Sequence, residues 1–271
     1  MINDNRDRCL VINFRKFDFQ FLCNLFYHKK ITMNLKKEID IIILSFAQNE
    51  RLKRTTIDCI NSLIASEDPE TIKFNIIVIE SQKEMKPYQF EFTTTLYPDD
   101  EFGYHKFMNI GIEYTSSNYV CICNNDLLFH KGWATEILQP FLQFDDVYSA
   151  SPICSILHPT EGIEINSGLR LGYRIRKEIA GWCLFFRRDL LKLIGQLDPN
   201  YNFWCADNDY ANTLWVLKLN HVLVTSSIVD HLGNITLKSQ TSEEQYRLTE
   251  KESIYYAKKW HYRMGEGWIE L

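Results

Sequence analysis

Residues 39–46 read IDIIILSF, an almost unbroken apolar run interrupted by Asp40 and Ser45. Strict alternation would mark a strand with one wet face. A continuous β-branched run marks a strand covered on both faces, as in the parallel sheet of a layered α/β domain. Downstream, residues 51–65 set Leu52, Ile57, Ile60, Leu63 and Ile64 at helical spacing. Residues 74–79 (FNIIVI) predict a second strand that stops at Glu80-Ser81. Residues 104–115 predict a helix, 118–123 a third buried strand ending in Asn124-Asn125-Asp126, and 132–144 another helix. Strand–helix alternation of this kind predicts an α/β domain with a mostly parallel central sheet flanked by helices and right-handed crossovers.

Beyond that point the pattern loosens. Residues 181–187 (GWCLFFR) predict a strand, 188–194 a short helix closed by Gly195, 206–219 a helix and 221–225 a short strand. Residues 242–260 predict a closing helix, with Ser242 and Gln245 at capping-box spacing. No internal repeat, low-complexity tract or Pro/Gly-rich linker divides the chain. The expected organisation is an N-terminal extension over 1–36, one domain over 37–235, and a helical tail over 236–271 packed on it.

The chain has 271 residues, 45% hydrophobic and 24% charged, a balance that excludes disorder, collagen and coiled coil. Thirty Lys+Arg against 35 Asp+Glu give a net charge of −5, the wrong sign for a protein held mainly by phosphate backbones. No nucleic-acid partner is therefore expected. Eight cysteines are present without any Cys-x-x-Cys, and Cys121 and Cys123 share one face of an apolar strand. That suits buried packing in a reducing cytosol better than metal capture. No run reaches the roughly 18–20 apolar residues of a membrane helix. Residues 9–27 come nearest, interrupted by Arg15, Lys16 and Asp18. They are either an extension packed on the domain or an amphipathic segment in peripheral membrane contact. The expected location is the cytoplasm, with the inner face of the membrane as the alternative. Met33, just before the first strand, is an alternative natural start.

In open α/β sheets, ligands bind beyond the carboxyl ends of the strands. Those ends here carry Ser45, Glu80 and Asn124-Asn125-Asp126. Asn109-Ile-Gly111, then Tyr119-Val-Cys-Ile-Cys-Asn124-Asn125-Asp126 and Lys131-Gly132-Trp133 follow in order. Ala180-Gly181-Trp182, Gly195-Gln-Leu-Asp198, Ala206-Asp207-Asn208-Asp209 and His231 complete the series. In order and spacing these motifs resemble the GT-A-fold glycosyltransferases of family 2, especially the rhamnosyltransferase-like branch with an N-N-D metal motif. The resemblance runs from about residue 39 to 235.

That resemblance implies a single Rossmann-like GT-A domain. It also implies inverting transfer from a nucleotide-diphosphate sugar to a hydroxyl on a glycan or other acceptor, as in polysaccharide biosynthesis. Asp126 and His231 would hold Mn²⁺ or Mg²⁺, and Asp207 would be the catalytic base. Ser45, Glu80, Lys106, Asn109, Asn124 and Asn125 would contact the donor, with His105 near its phosphates. Gly181, Trp182, Trp204 and Asp209 would face the acceptor, with Phe203 nearby. Three departures stand out: amides at 124 and 125 where a carboxylate is usual, Ala47 for Asn, and Ala206 before Asp207. Physical chemistry agrees with the outline, because a hard cation takes oxygen ligands and offsets charge developing on a departing diphosphate. The alternatives are a nucleotidyltransferase, whose Gly-rich basic loop is missing from residues 45–50, and a degenerate GT-A fold acting as a carbohydrate- or nucleotide-binding module.

Overall fold

The computed structural model describes residues 36–84, 87–233, 242–263 and 267–268. The extension, its segment 9–27 and Met33 lie outside them, as do the side chains of Ser242 and Gln245.

The first half follows the sequence closely. Strand β1 (Lys37–Ser45) leads into α1 (Glu50–Ala65), then β2 (Ile72–Glu80) and the short β3 (Thr94–Leu96). Helix α2 (Tyr104–Glu113), β4 (Tyr119–Asn124) and β5 (Leu127–Phe129) follow. The single helix expected over 132–144 is two, α3 (Trp133–Ile137) and α4 (Gln139–Gln143). Pro140 sits at the start of the second, where its missing N–H and fixed φ suit a first turn and not a helix interior. Next come β6 (Val147–Ile153), β7 (Leu169–Leu171), β8 (Cys183–Arg187), a 3₁₀ turn (Arg188–Leu190) and α5 (Leu191–Ile194). The chain continues through α6 (Ala206–Val216), β9 (Asn220–His231) and α7 (Ser242–Lys259), then the strand pair β10 (Tyr262–Arg263) and β11 (Gly267–Trp268).

Among the described residues the main sheet runs β3-β2-β1-β4-β8-β6-β9-β5, with β7 also paired to β9. The expected parallel arrangement holds across β3, β2, β1 and β4 and returns between β6 and β9. Strands β8, β5 and β7 join antiparallel, because loops and not crossover helices lead into them. Ile39, Ile41 and Ile43 of β1 pack into one core with Cys59, Leu63, Trp133 and Phe185. Ile42 points the other way, into a second core with Phe107, Met108, Phe186 and Leu214. Two covered faces explain the continuous apolar run. A β-carbon on Gly111 of α2 would stand 2.4 Å from Ile42 Cγ2, so only glycine lets that helix lie so close to β1.

Ion pairs lock the end of the sheet away from the site. Arg188 reaches Asp40 Oδ2 at 2.7 Å and donates to the carbonyls of Ser117 and Ile112. Cys59, Cys121, Cys123, Cys154 and Cys183 are buried free thiols, with Cys121 and Cys183 sulfurs 3.6 Å apart. No described helix is long and apolar enough to cross a membrane.

Candidate active site

The strand expected to end near residue 225 continues to His231, which is its last residue and not part of a following loop. Two short pairings explain this. Asp126 ends the tight turn between β4 and β5, and β5 pairs antiparallel with the end of β9, setting Leu127 opposite His231. Leu232 N–H then donates to the Asp126 carbonyl at 2.9 Å. Residues far apart in sequence are thereby placed side by side: His231 Nε2 stands 3.2 Å from Asp126 Oδ1.

Both side chains are largely buried, with 14% and 5% of their surface exposed. The contact lacks the alignment of a hydrogen bond, and Nε2 finds no other partner among the described residues. A buried, unpaired ring nitrogen is costly. Beside a carboxylate oxygen, it belongs to a pair of side chains that could share a bound cation. Imidazole and carboxylate together suit a divalent cation of the Mn²⁺ type. Among the described residues no group of three or more His, Cys, Asp or Glu side chains could hold an ion. Any cation held by this pair would need ligand or water oxygens to complete its shell.

Asp230 braces the strand that carries His231. Its carboxylate accepts from Ser155 N at 2.6 Å, Ser155 Oγ at 2.9 Å and His130 Nε2 at 2.8 Å. Burial opposes that charge, but these hydrogen bonds hold its pKa below the ordinary value. The sequence reading missed Asp230. Its only signal was position, immediately before a singled-out histidine.

Trp182 lies flat on His231, with ring centroids 5.1 Å apart and planes 8° apart. Just before it, Gly181 abuts Asp207 on the first turn of α6. Gly181 and Trp182, adjacent in sequence, therefore link Asp207 to the Asp126–His231 pair. Asp207 Oδ1 accepts from Asn208 N–H at 2.9 Å. Burial raises the Asp207 pKa, with backbone hydrogen bonds opposing. A desolvated carboxylate of raised pKa is suited to take a proton. Tyr104, at the start of α2, has a buried hydroxyl without a partner among the described residues. Burial, and after it the nearby Cys123 and Asp207, push its ionisation up, so it stays a neutral donor.

Much of the expected donor set faces inward. Ser45 Oγ and Asn125 Nδ2 each meet Thr56 Oγ1 at 2.9 Å, a buried rivet between α1 and two strand ends. Glu80 is wholly buried; it accepts from the N–H groups of Ala47 and Gln82 and from the Tyr88 hydroxyl. Asn109 holds Leu197 at both its N–H and its carbonyl. Lys106 Nζ donates to the Glu101 carbonyl at 3.2 Å. His105 is buried against the Asp198 carbonyl, and burial pushes its pKa down to about 4, so it offers phosphate no positive charge near neutrality. Each of these six has a polar atom engaged within the protein. Of that set, Asn124 at the end of β4 and Lys106 stay half-buried.

On the acceptor side, Asp209 is likewise engaged within the protein. Its Oδ1 is buried between Lys259 Nζ at 2.7 Å and Trp260 Nε1 at 2.8 Å. Trp204 is 46% exposed. Its loop is shaped by Glu252 of α7, a residue the sequence did not flag. The buried Glu252 carboxylate accepts from the N–H groups of Asn202, Phe203 and Trp204. Three successive amides converging on one carboxylate leave no sequence motif.

No protein-family model matches the chain, and no curated protein matches it in sequence. Solved structures do match in fold. A structure of GalNAc-T7 with UDP, GalNAc and Mn²⁺ superposes with a TM-score of 0.59 at 11% identity, over 83% of this chain and 49% of that one. This chain thus spans about half of that protein's length. A Drosophila β1,4-galactosyltransferase 7 mutant, complexed with manganese, UDP-Gal and xylobiose, gives 0.48 at 13% identity over 78% and 79%. The fold is the Rossmann-like GT-A fold of glycosyltransferases.

Proposed function

We propose that this protein is a metal-dependent glycosyltransferase that moves a sugar from a nucleotide-diphosphate donor to an acceptor hydroxyl with inversion. One observation carries the reading. In a GT-A fold, the buried and unpaired His231 Nε2 faces Asp126 Oδ1 at 3.2 Å, in the crevice that Asp207 enters. GalNAc-T7, of like fold, was solved with UDP, GalNAc and Mn²⁺, which makes UDP sugars with Mn²⁺ the first probes.

Asp126 and His231 would hold the cation. When bound, the cation supplies Lewis-acid stabilisation of the charge on the leaving diphosphate. Asp207 accepts the acceptor hydroxyl's proton as that oxygen attacks the anomeric carbon from the face opposite the nucleotide. Gly181 admits the Asp207 carboxylate to the crevice, and the Tyr104 hydroxyl supplies a fixed neutral donor near it. The exposed Trp204 offers a ring face to an acceptor sugar, on the loop that Glu252 holds. With Ser45, Glu80 and Asn125 turned inward, base recognition falls to Asn124 and the backbone around Ala47.

The test is hydrolysis and transfer from a panel of nucleotide sugars with and without Mn²⁺, with product anomers assigned by proton NMR. Metal-dependent transfer with inverted configuration supports the reading. Retention of configuration overturns the single displacement. Binding without turnover of any donor identifies a binding module instead.

A further inference from the structure

Trp182, expected to face the acceptor, is largely enclosed. One face of the indole is covered by the His231 ring, and His158 packs at 5.9 Å with its ring tilted by 54°. His158 is fixed in turn: Nδ1 accepts from Cys154 N–H, and Nε2 meets the Lys177 carbonyl at 2.9 Å. Trp182 is only 8% exposed, so no sugar-sized platform remains. What it does offer is its Nε1–H, which is buried and has no hydrogen-bond partner among the described residues. An indole N–H can only donate, and leaving one buried and unpaired costs about 1–3 kcal/mol. Other indoles here are satisfied: Trp133 donates to Ser66 Oγ and Trp260 to Asp209. The unpaired one belongs to the ring stacked on His231, whose Nε2 is also without a hydrogen bond among the described residues.

We propose that Trp182 is a positioning residue of this site: its indole fixes the plane of the His231 ring, and its Nε1–H donates to a diphosphate oxygen bound beside Asp126 and His231. The inference rests on the reading of the crevice as a metal–diphosphate site and adds to it a donor that belongs to the interior of the protein. Parallel contact at 8° fixes the plane of the imidazole whose Nε2 stands beside Asp126. The indole face also favours the added positive charge of a metal-bound imidazole. An acceptor-rich, anionic ligand satisfies the N–H, whereas a bare cation does not.

Trp182→Phe keeps a flat ring over His231 and removes the N–H; Trp182→Leu removes both. The full chain is titrated calorimetrically with inorganic pyrophosphate at saturating Mn²⁺, and separately with Mn²⁺ at fixed pyrophosphate. Trp182→Phe should weaken pyrophosphate roughly tenfold, the usual worth of a hydrogen bond to a charged group, and leave the metal response nearly unchanged. Trp182→Leu should weaken both. In the unaltered protein, one indole N–H resonance should move downfield when Mg²⁺ and pyrophosphate are added together, which needs no variant to fold. Pyrophosphate binding that Asp126→Ala abolishes, but that moves no indole resonance and is unchanged in Trp182→Phe, overturns the role of Trp182 alone. Absence of any Asp126-dependent binding overturns the site and this inference together.

Discussion

Gly181 and Asp207 touch so closely that a β-carbon on residue 181 would stand 2.6 Å from Asp207 Cβ and 2.7 Å from its Oδ2. The strand-leading turn and the first turn of α6 meet backbone to side chain, which only glycine permits. Gly181→Ala should therefore cost about 1–3 kcal/mol through overpacking and push the Asp207 carboxylate out of line. Thermal melting together with transfer rate checks this. Full activity with unchanged stability would mean that the contact relaxes freely.

Asp207→Asn should leave donor affinity nearly intact and lower transfer by roughly 10²–10⁴, the usual contribution of a general base. Burial raises the Asp207 pKa, and a base works only when deprotonated. The acid limb of the rate profile should then lie above the ordinary aspartate range, with activity lost as pH falls through it. A profile whose acid limb survives in Asp207→Asn would place the base elsewhere.

Asp126→Ala should abolish Mn²⁺-dependent binding of UDP while the protein keeps its melting transition. Asp230→Asn touches no ligand, yet it loosens the strand bearing His231. Loss of a group that orients a metal ligand typically costs 10–100-fold in metal affinity. Mn²⁺ titration followed by paramagnetic resonance distinguishes the two.

The C-terminal helix carries a pH-dependent clamp. Lys259 Nζ stands 2.7 Å from Asp198 Oδ2 and 2.7 Å from Asp209 Oδ1. Despite opposing burial, hydrogen bonds from Lys259, Asn200 and Tyr255 bring the Asp198 pKa down from 3.8 to about 2. A folded pKa below the unfolded one adds stability that is present above the unfolded value and lost as pH falls from about 4 toward 2. Lys259→Met should flatten part of that acid limb in denaturant midpoints measured across pH.

Glu252→Ala would leave the N–H groups of Asn202, Phe203 and Trp204 without their acceptor. Stability should fall by at least about 1–3 kcal/mol, and the loop bearing Trp204 should loosen. With an identified acceptor, its KM should rise more than kcat falls. Equal KM values in variant and parent would show that the loop does not touch the acceptor.

Continuous apolar runs told from sequence alone that β1, β2 and β4 lie inside a layered α/β sheet, because only a strand covered on both faces can afford them. The abrupt polar ends of those strands pointed to Asp126, and the motif order to Asp207 and His231, the residues on which the proposed chemistry rests. What the chain could not disclose was which way each polar side chain points. Ser45, Glu80, Asn109 and Asn125 sit at strand ends or on a helix, where either direction is open to them. Their inward choice depends on Thr56, Ala47, Gln82 and Leu197, and for three of the four a partner lies far along the chain. Trp182 likewise reads as any aromatic in an apolar strand until His231 is laid against it. Local sequence dictates burial and period, since those are properties of one segment. Hydrogen-bond partners and buried polar atoms left without one are properties of several segments at once, and only the tertiary structure decides them.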